Sequence, residues 1–420
     1  MGADVQPSDI GALRDRVTKL LRRIKENRKR VSARASEGRF AKGGERRLTV
    51  TRRKPFFTLW IWVAVLGAVT LCGIGVVVVW SKLYQDVPPY TQLVEEMESA
   101  ALGEAPSLHV YGGALKVEAQ GDDIVVTAGA QQAFGLLARI LVVPGRTVVA
   151  VEQLSYPSLR EALSAAGAKV VPVPTDAEGL CVERLPAEAR VICVTPSHQF
   201  PTGVAMSTPR RAALLAFARE RQAVVIEDDY DSEFRFAGRP LDALQTLDRA
   251  DSVCYVGTFS KSLFPALRLG FVVAPPWARA ALVRMRELAD WHSLVLGQDA
   301  LADFIAEGHL ARHIRRMRKV YGERRRLLLE ALVRHGADLF EAIPSQAGLH
   351  LSVRLHAPLR ADLLARRAAE AGIALAPLSR YALDPHAVDV PEGLAFGYGL
   401  IEAARIDDAI RRVAQLARAG

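Results

Sequence analysis

Lys261 is the one lysine of GTFSKSLFPALRLG, residues 257–270, where it stands among the hydroxyls of Thr258, Ser260 and Ser262 in an otherwise apolar loop. A lysine amine in such a setting is a usable nucleophile towards an aldehyde. Arg268 follows seven residues on, and a guanidinium makes the forked contact that neutralises a dianionic phosphate. A second segment, TAGAQQA at 127–133, places small residues between a strand and a helix, where backbone N–H groups approach an anion and the helix dipole adds attraction. A third, EDDYDSEF at 227–234, ends a strand in carboxylates. A carboxylate there binds a metal, serves as a base, or pairs with a protonated heterocyclic nitrogen. Neighbouring strand residues point to opposite faces, so Glu227, Asp228, Asp229 and Asp231 do not all converge on one ion. The fourth segment, TPSHQFPTG at 195–203, is a polar, proline-bearing turn.

The elements that must position these residues are legible as an alternation. Short β-branched runs at Ile124–Thr127, Thr147–Glu152, Lys169–Val173, Val191–Thr195, Ala223–Glu227, Ser252–Gly257 and Gly270–Ala274 are separated by helix-like stretches such as Gln131–Leu141, Pro157–Ala166 and Pro209–Arg221. That order predicts an α/β fold with a mostly parallel sheet and helices on both faces. Ligands of such sheets bind beyond the carboxyl ends of the strands, where the four segments fall. From about Ala278 the pattern turns helical, with an arginine-rich stretch at His309–Arg334, and a mixed α/β segment runs from Ala347 to the end. We expect a large domain over 122–285 and a smaller C-terminal domain over 286–420.

Together with GHLARHIRRMRKVYGERRRLL at 308–328, these motifs resemble the fold type I pyridoxal-5′-phosphate (PLP) enzymes, specifically the aminotransferase-like domain of the MocR family of bacterial regulators. The resemblance spans roughly 122–415, about seventy per cent of the chain. It implies PLP as cofactor, with a Schiff base on Lys261 and Asp228 paired to the pyridine nitrogen. It further implies Tyr230 on the ring's phenolic oxygen and Tyr156, in SYPS, stacked on the ring face. Gly129, Ala130 and Gln131 would cradle the phosphate with Thr258, Ser260 and Arg268. The implied function is amino-group transfer with an amino acid or amine, by a homodimer; the alternative is a PLP- or effector-sensing regulatory domain. No metal site is expected.

The chain departs from that pattern in several places. Residues 1–90 hold nothing like the family's winged helix-turn-helix, and the connecting segment 82–121 fits poorly. Where aminotransferases place an asparagine before Pro-Thr-Gly, Gln199-Phe200 precede Pro201. Near the C-terminus, LAFGYG at 394–399 puts Ala395 where an arginine usually holds the substrate α-carboxylate, and Arg380 is the nearby substitute.

The N-terminal region has its own chemistry. Residues 55–81 carry no charge over 27 positions, enough for a helix to cross a hydrocarbon core of about 30 Å, with Trp60, Trp62 and Trp80 towards its ends. Residues 1–54 hold 17 Lys/Arg against 6 Asp/Glu. This basic tail predicts a single-pass membrane protein with a cytoplasmic N-terminus. Of the formal charge of +9, the tail accounts for +11, which leaves about −2 for the remainder. The folded body therefore offers no broad nucleic-acid surface. Within the tail, Ile10, Leu13, Val17, Leu20, Leu21 and Ile24 recur at helical spacing, a cationic amphipathic pattern suited to anionic lipid or nucleic acid. Cys72, Cys181, Cys193 and Cys254 form no CxxC pair, so neither a disulfide framework nor a zinc site is expected.

Overall fold

A computed structural model describes residues 115–116, 123–237, 241–291, 293–385 and 387–419. The basic tail, the uncharged run 55–81 and Cys72 lie outside the described residues, as does nearly all of 82–121. Among the described residues no helix is long and apolar enough to cross a membrane.

The larger sheet has seven strands: β1 (Ile124–Thr127), β2 (Val148–Glu152), β3 (Lys169–Val173), β4 (Ala189–Val194), β5 (Val224–Asp229), β6 (Val253–Thr258) and β7 (Gly270–Val273). Their spatial order is β1-β7-β6-β5-β4-β2-β3, and only β7 runs antiparallel to its neighbours. Strands such as Val253–Thr258 are buried at every position. Both faces are covered, as the near-continuous apolar runs predict for a parallel sheet.

One face packs α1 (Ala130–Leu141), α2 (Pro157–Ala165) and the start of α4 (Pro276–Asp290), through Phe134, Leu137, Leu163 and Leu282. The other face packs α3 (Thr208–Arg221), through Leu214 and Ala218. Burying each such side chain contributes about 1.5–3 kcal/mol. The helices start where their sequences permit. Pro157 opens α2, and the Ser207 hydroxyl accepts from the Arg210 N–H to cap α3, which satisfies an otherwise orphaned donor. Helix α4 runs through residue 285, so the expected domain boundary falls within one helix.

After α5 (Val295–Ala306) comes α6 (His309–Gly336), the expected arginine-rich stretch, now seen as a single helix of 28 residues. It packs on a four-stranded antiparallel sheet ordered β8-β9-β11-β10: Phe340–Ala342, His350–Leu355, Gly393–Gly397 and Ala376–Pro377. Helices α7 (Ala361–Glu370) and α8 (Ala403–Arg418) complete this second core. Several arginines of α6 are committed to backbone carbonyls. Arg318 donates to Glu233 O at 2.7 Å, Arg324 to Gly399 O at 2.5 Å, and Arg325 to Ser345 O. The distinctive arginine run is thus a strut that fixes loops of both sheets.

Candidate functional site

A cavity of about 610 Å³ opens beyond the carboxyl ends of β1, β5 and β6. Its first wall is built by the turn after β1. Gly129 adopts φ 77°, and α1 then starts at Ala130 with no side-chain cap, so the first-turn N–H groups are left for an anion. Arg268 reaches across from the loop after β6. It donates to Ala128 O at 2.7 Å, and a Cβ on Gly129 would sit 3.2 Å from its guanidinium. Thr258 and Ser260 bond to each other, with Oγ atoms 3.1 Å apart, and line the cavity beside Ala130, Gln131, Lys261 and Arg268. The residues expected around the phosphate, and the lysine, therefore meet in one place.

The acidic segment divides its carboxylates as strand alternation requires. Glu227 accepts from the Leu244 and Gln245 N–H groups at 3.0 and 3.0 Å. Asp229 accepts from the Ser232 hydroxyl at 2.6 Å and the Tyr255 hydroxyl at 2.5 Å. Asp231 lies 3.0 Å from His198 Nδ1. Asp228 alone among them lines the cavity without a fixed partner: it is 5% exposed, and its Oδ1 has no hydrogen bond among the described residues. Burial, then repulsion from Asp229, Asp231 and Glu152, pushes its pKa up to about 8. An unpartnered buried carboxyl oxygen costs roughly 1–3 kcal/mol; a protonated ring nitrogen in the cavity would supply the missing donor. The glycine cradle and this orphaned oxygen fit PLP.

The wall between these two regions is aromatic. Gln199 does not face the cavity. Its amide donates to Leu154 O at 2.6 Å and Phe200 O at 2.7 Å, and accepts from the Thr202 hydroxyl at 2.5 Å. Phe200 occupies the lining position instead, edge-on to Tyr156 at 5.8 Å, Tyr230 at 5.8 Å and Tyr381 at 4.9 Å. Tyr156 is 40% exposed at the head of α2, where its ring is free to stack on a ligand. The Tyr230 hydroxyl also lines the cavity but is engaged with His198, at 2.9 Å to Nδ1 and 3.0 Å to the backbone oxygen.

The second sheet closes the cavity with residues that sequence reasoning passed over, among them His350, Leu349 and Leu375. The earlier signals for this side were Ala395 and Arg380, and both line the cavity. Burial first, and then the nearby His198, push His350 down to about 4. Ala395 lines the cavity and pairs with Ala376 across the strands. Arg380 also lines it, from the turn Leu378–Tyr381. That turn is held to the large sheet by Tyr381 O, which accepts from Ser155 N at 3.0 Å and Arg160 at 2.6 Å. His198, Asp231 and His350 bring ligand-type atoms within 4.8 Å of one another. They are already engaged by Ser345, by each other and by Pro201 O at 2.9 Å, so the trio reads as a hydrogen-bond network. Cys181, Cys193 and Cys254 are buried free thiols.

Comparison with known proteins agrees with this geometry. The model of the family "Aminotransferase class I and II" matches residues 96–390. The probable rhizopine catabolism regulatory protein MocR of Rhizobium meliloti is 40% identical over 265 residues, 63% of this chain and 54% of the relative. The chain thus spans about half the length of the curated relatives it matches. The crystal structure of Pyrococcus horikoshii kynurenine aminotransferase in complex with PMP, KYN and KYA superposes with a TM-score of 0.66 at 28% identity, covering 70% of this chain and 75% of that one. LysN, the α-aminoadipate aminotransferase of Thermus thermophilus, complexed with N-(5′-phosphopyridoxyl)-L-leucine, gives 0.65 at 29% identity, with 71% and 78% covered. The chain belongs to the class I and II aminotransferases, and its described body is a PLP-dependent, aminotransferase-like domain of the fold type I kind.

Proposed function

We propose that the cavity binds PLP through the residues assembled around it and exchanges an amino group with a small amino acid or amine. The observation that carries this reading is the convergence of Lys261, the orphaned Asp228 oxygen and the Gly129–Arg268 cradle on one cavity. The cofactor, when bound, supplies an aldehyde for amine capture and an electron-withdrawing ring. Lys261 attaches it and, once released by the incoming amine, holds and moves a proton at Nζ. Asp228 keeps a proton on the ring nitrogen, while Gly129, Ala130, Gln131, Thr258, Ser260 and Arg268 hold the phosphate. Tyr156 packs on the ring, and Tyr230 faces its phenolic oxygen. With Ala395 on β11, Arg380 is the cation left on this wall to orient a ligand carboxylate.

A second reading is favoured by one observation, that relatives such as MocR are regulators. In it the same site senses an amine or PLP and turns over no substrate. Mixing the PLP-loaded protein with a panel of amino acids and amines separates the two. Keto-acid or aldehyde release with a spectral change supports transfer, and a spectral change without product supports sensing. A spectrum indifferent to PLP itself overturns both.

The reading extends to assembly and location. A homodimer is supported by the run at 291–296, where Trp291 is 78%, Leu294 64% and Leu296 77% exposed. Anchoring through residues 55–81, with the basic tail in the cytoplasm, rests on their composition. A reporter joined after residue 90 shows on which side of the membrane the body lies, and a full chain found wholly in the soluble fraction would overturn the anchor.

A further inference from the structure

His198, on the turn after β4, sits in a slot that only glycines leave open. A Cβ at Gly348 would fall 2.0 Å from its Cε1, and one at Gly203 would fall 3.0 Å from its Nε2. Both glycines adopt positive φ, 91° and 84°. Within this slot Nδ1 lies 3.0 and 3.1 Å from the two oxygens of Asp231 and 2.9 Å from the Tyr230 hydroxyl. Nε2 lies 3.1 Å from Ser345 Oγ, whose hydroxyl in turn donates to Ala347 O at 3.2 Å. Nδ1 thus faces a carboxylate acceptor, and Nε2 faces a hydroxyl. Asp231 and His198 are 1% and 2% exposed, and a buried carboxylate requires a charged or strongly donating partner.

We propose that His198, whose Nδ1–H lies between the Asp231 carboxylate and the Tyr230 hydroxyl, is a positioning residue that sets the charge balance of the cofactor pocket. The inference rests on the PLP reading above. Asp231 and Tyr230 face His198 from the segment after β5, with Asp228 on that strand. His350 faces it from β9, with ring centroids 4.8 Å apart. Arg325 of α6 binds the Ser345 carbonyl, and Lys261 lines the same cavity as Tyr230. Among these groups His198 is the one bonded to both Asp231 and Tyr230. Its loss leaves the Asp231 carboxylate uncompensated, and the Tyr230 hydroxyl loses the donor that draws charge from it. Both changes favour a proton on nitrogen in the pocket.

The test is a pH titration of the visible absorbance of the PLP-loaded full chain. Covalent attachment is checked first, by borohydride reduction and mass; failure to label Lys261 would sink the PLP reading itself. In labelled protein, His198→Leu is expected to raise the midpoint by about one unit or more. His198→Asn, which keeps a donor near the Nδ1 position, is expected to stay closer to wild type. In a Tyr230→Phe background the His198→Leu shift should shrink to the part carried by Asp231. An unchanged midpoint in His198→Leu, or a full shift persisting in the Tyr230→Phe background, overturns the proposal. If His198→Leu does not fold, Asp231→Asn replaces it. Neutralising the anion should then lower the midpoint, and a midpoint that rises or stays put refutes the pairing.

Discussion

The two sheets contribute unlike walls to one cavity. The large-sheet wall carries a complete set of polar groups: an amine, a carboxyl with an unpartnered oxygen, a guanidinium and a helix start with free N–H groups. The small-sheet wall is mostly apolar, with Leu349, Leu375, Ala376 and Ala395, relieved by His350 and Arg380. In the proposed function, charge on the first wall holds the cofactor and the second wall meets the variable part of the ligand, where Ala395 stands at the position the family resemblance gives to an arginine. The contrast makes cofactor binding and substrate reading separately testable.

The largest effect that tests this contrast belongs to the first wall. Lys261→Ala is expected to abolish borohydride-stable labelling by PLP, read by intact mass; labelling that persists there would break the assignment. Next, Asp228→Asn is expected to weaken PLP binding by about 3 kcal/mol, roughly 100-fold in Kd, measured by absorbance titration. Third, Arg380→Ala is expected to cost about tenfold in affinity for a carboxylate-bearing amine and to leave its decarboxylated counterpart unaffected. Equal losses for the two ligands would show that the second wall reads no carboxylate. The smallest effect is that of Tyr156→Phe, which keeps the ring and should change PLP affinity by less than about twofold.

The same contrast has a pH signature in the cofactor-free protein. The Asp228 carboxyl lies at about 8 in the fold, against an ordinary value of 3.8, so the folded state holds the proton more tightly. Its contribution to stability is full below about pH 4 and is lost as pH rises through about 8. Glu152 and Glu227, each raised by burial to about 7, act in the same direction. The Tm of the cofactor-free protein should therefore fall between those limits. Asp228→Asn should flatten part of the slope, and PLP should flatten it by giving the carboxylate a cation. A Tm that climbs across this window would contradict the burial of these groups.

Much of the first wall was legible because it is local. Strand ends, a glycine turn and a lysine loop each sit within a dozen residues of sequence, and the strand boundaries read from β-branched runs fall within two residues of those observed. The second wall was legible only at Ala395 and Arg380, which stand out against the family pattern. His350, Leu349 and Leu375 lie far in sequence from Lys261, and nothing in a strand or a short turn marks which face will look into a cavity. Gln199 illustrates the limit: its amide suits a ligand, yet three neighbouring groups consume it and Phe200 takes the lining position.

By itself the sequence determined the layered α/β class, the nucleophilic lysine and the segment that supplies the carboxyl, because periodicity and turn chemistry are properties of neighbours along the chain. The tertiary structure decided which of four neighbouring acidic residues offers the cavity an unpartnered oxygen, that His198 and Asp231 pair behind Tyr230, and that Arg380 shares a wall with Ala395. Those outcomes depend on burial and on partners brought together from distant positions, and only the folded chain brings them within hydrogen-bonding reach.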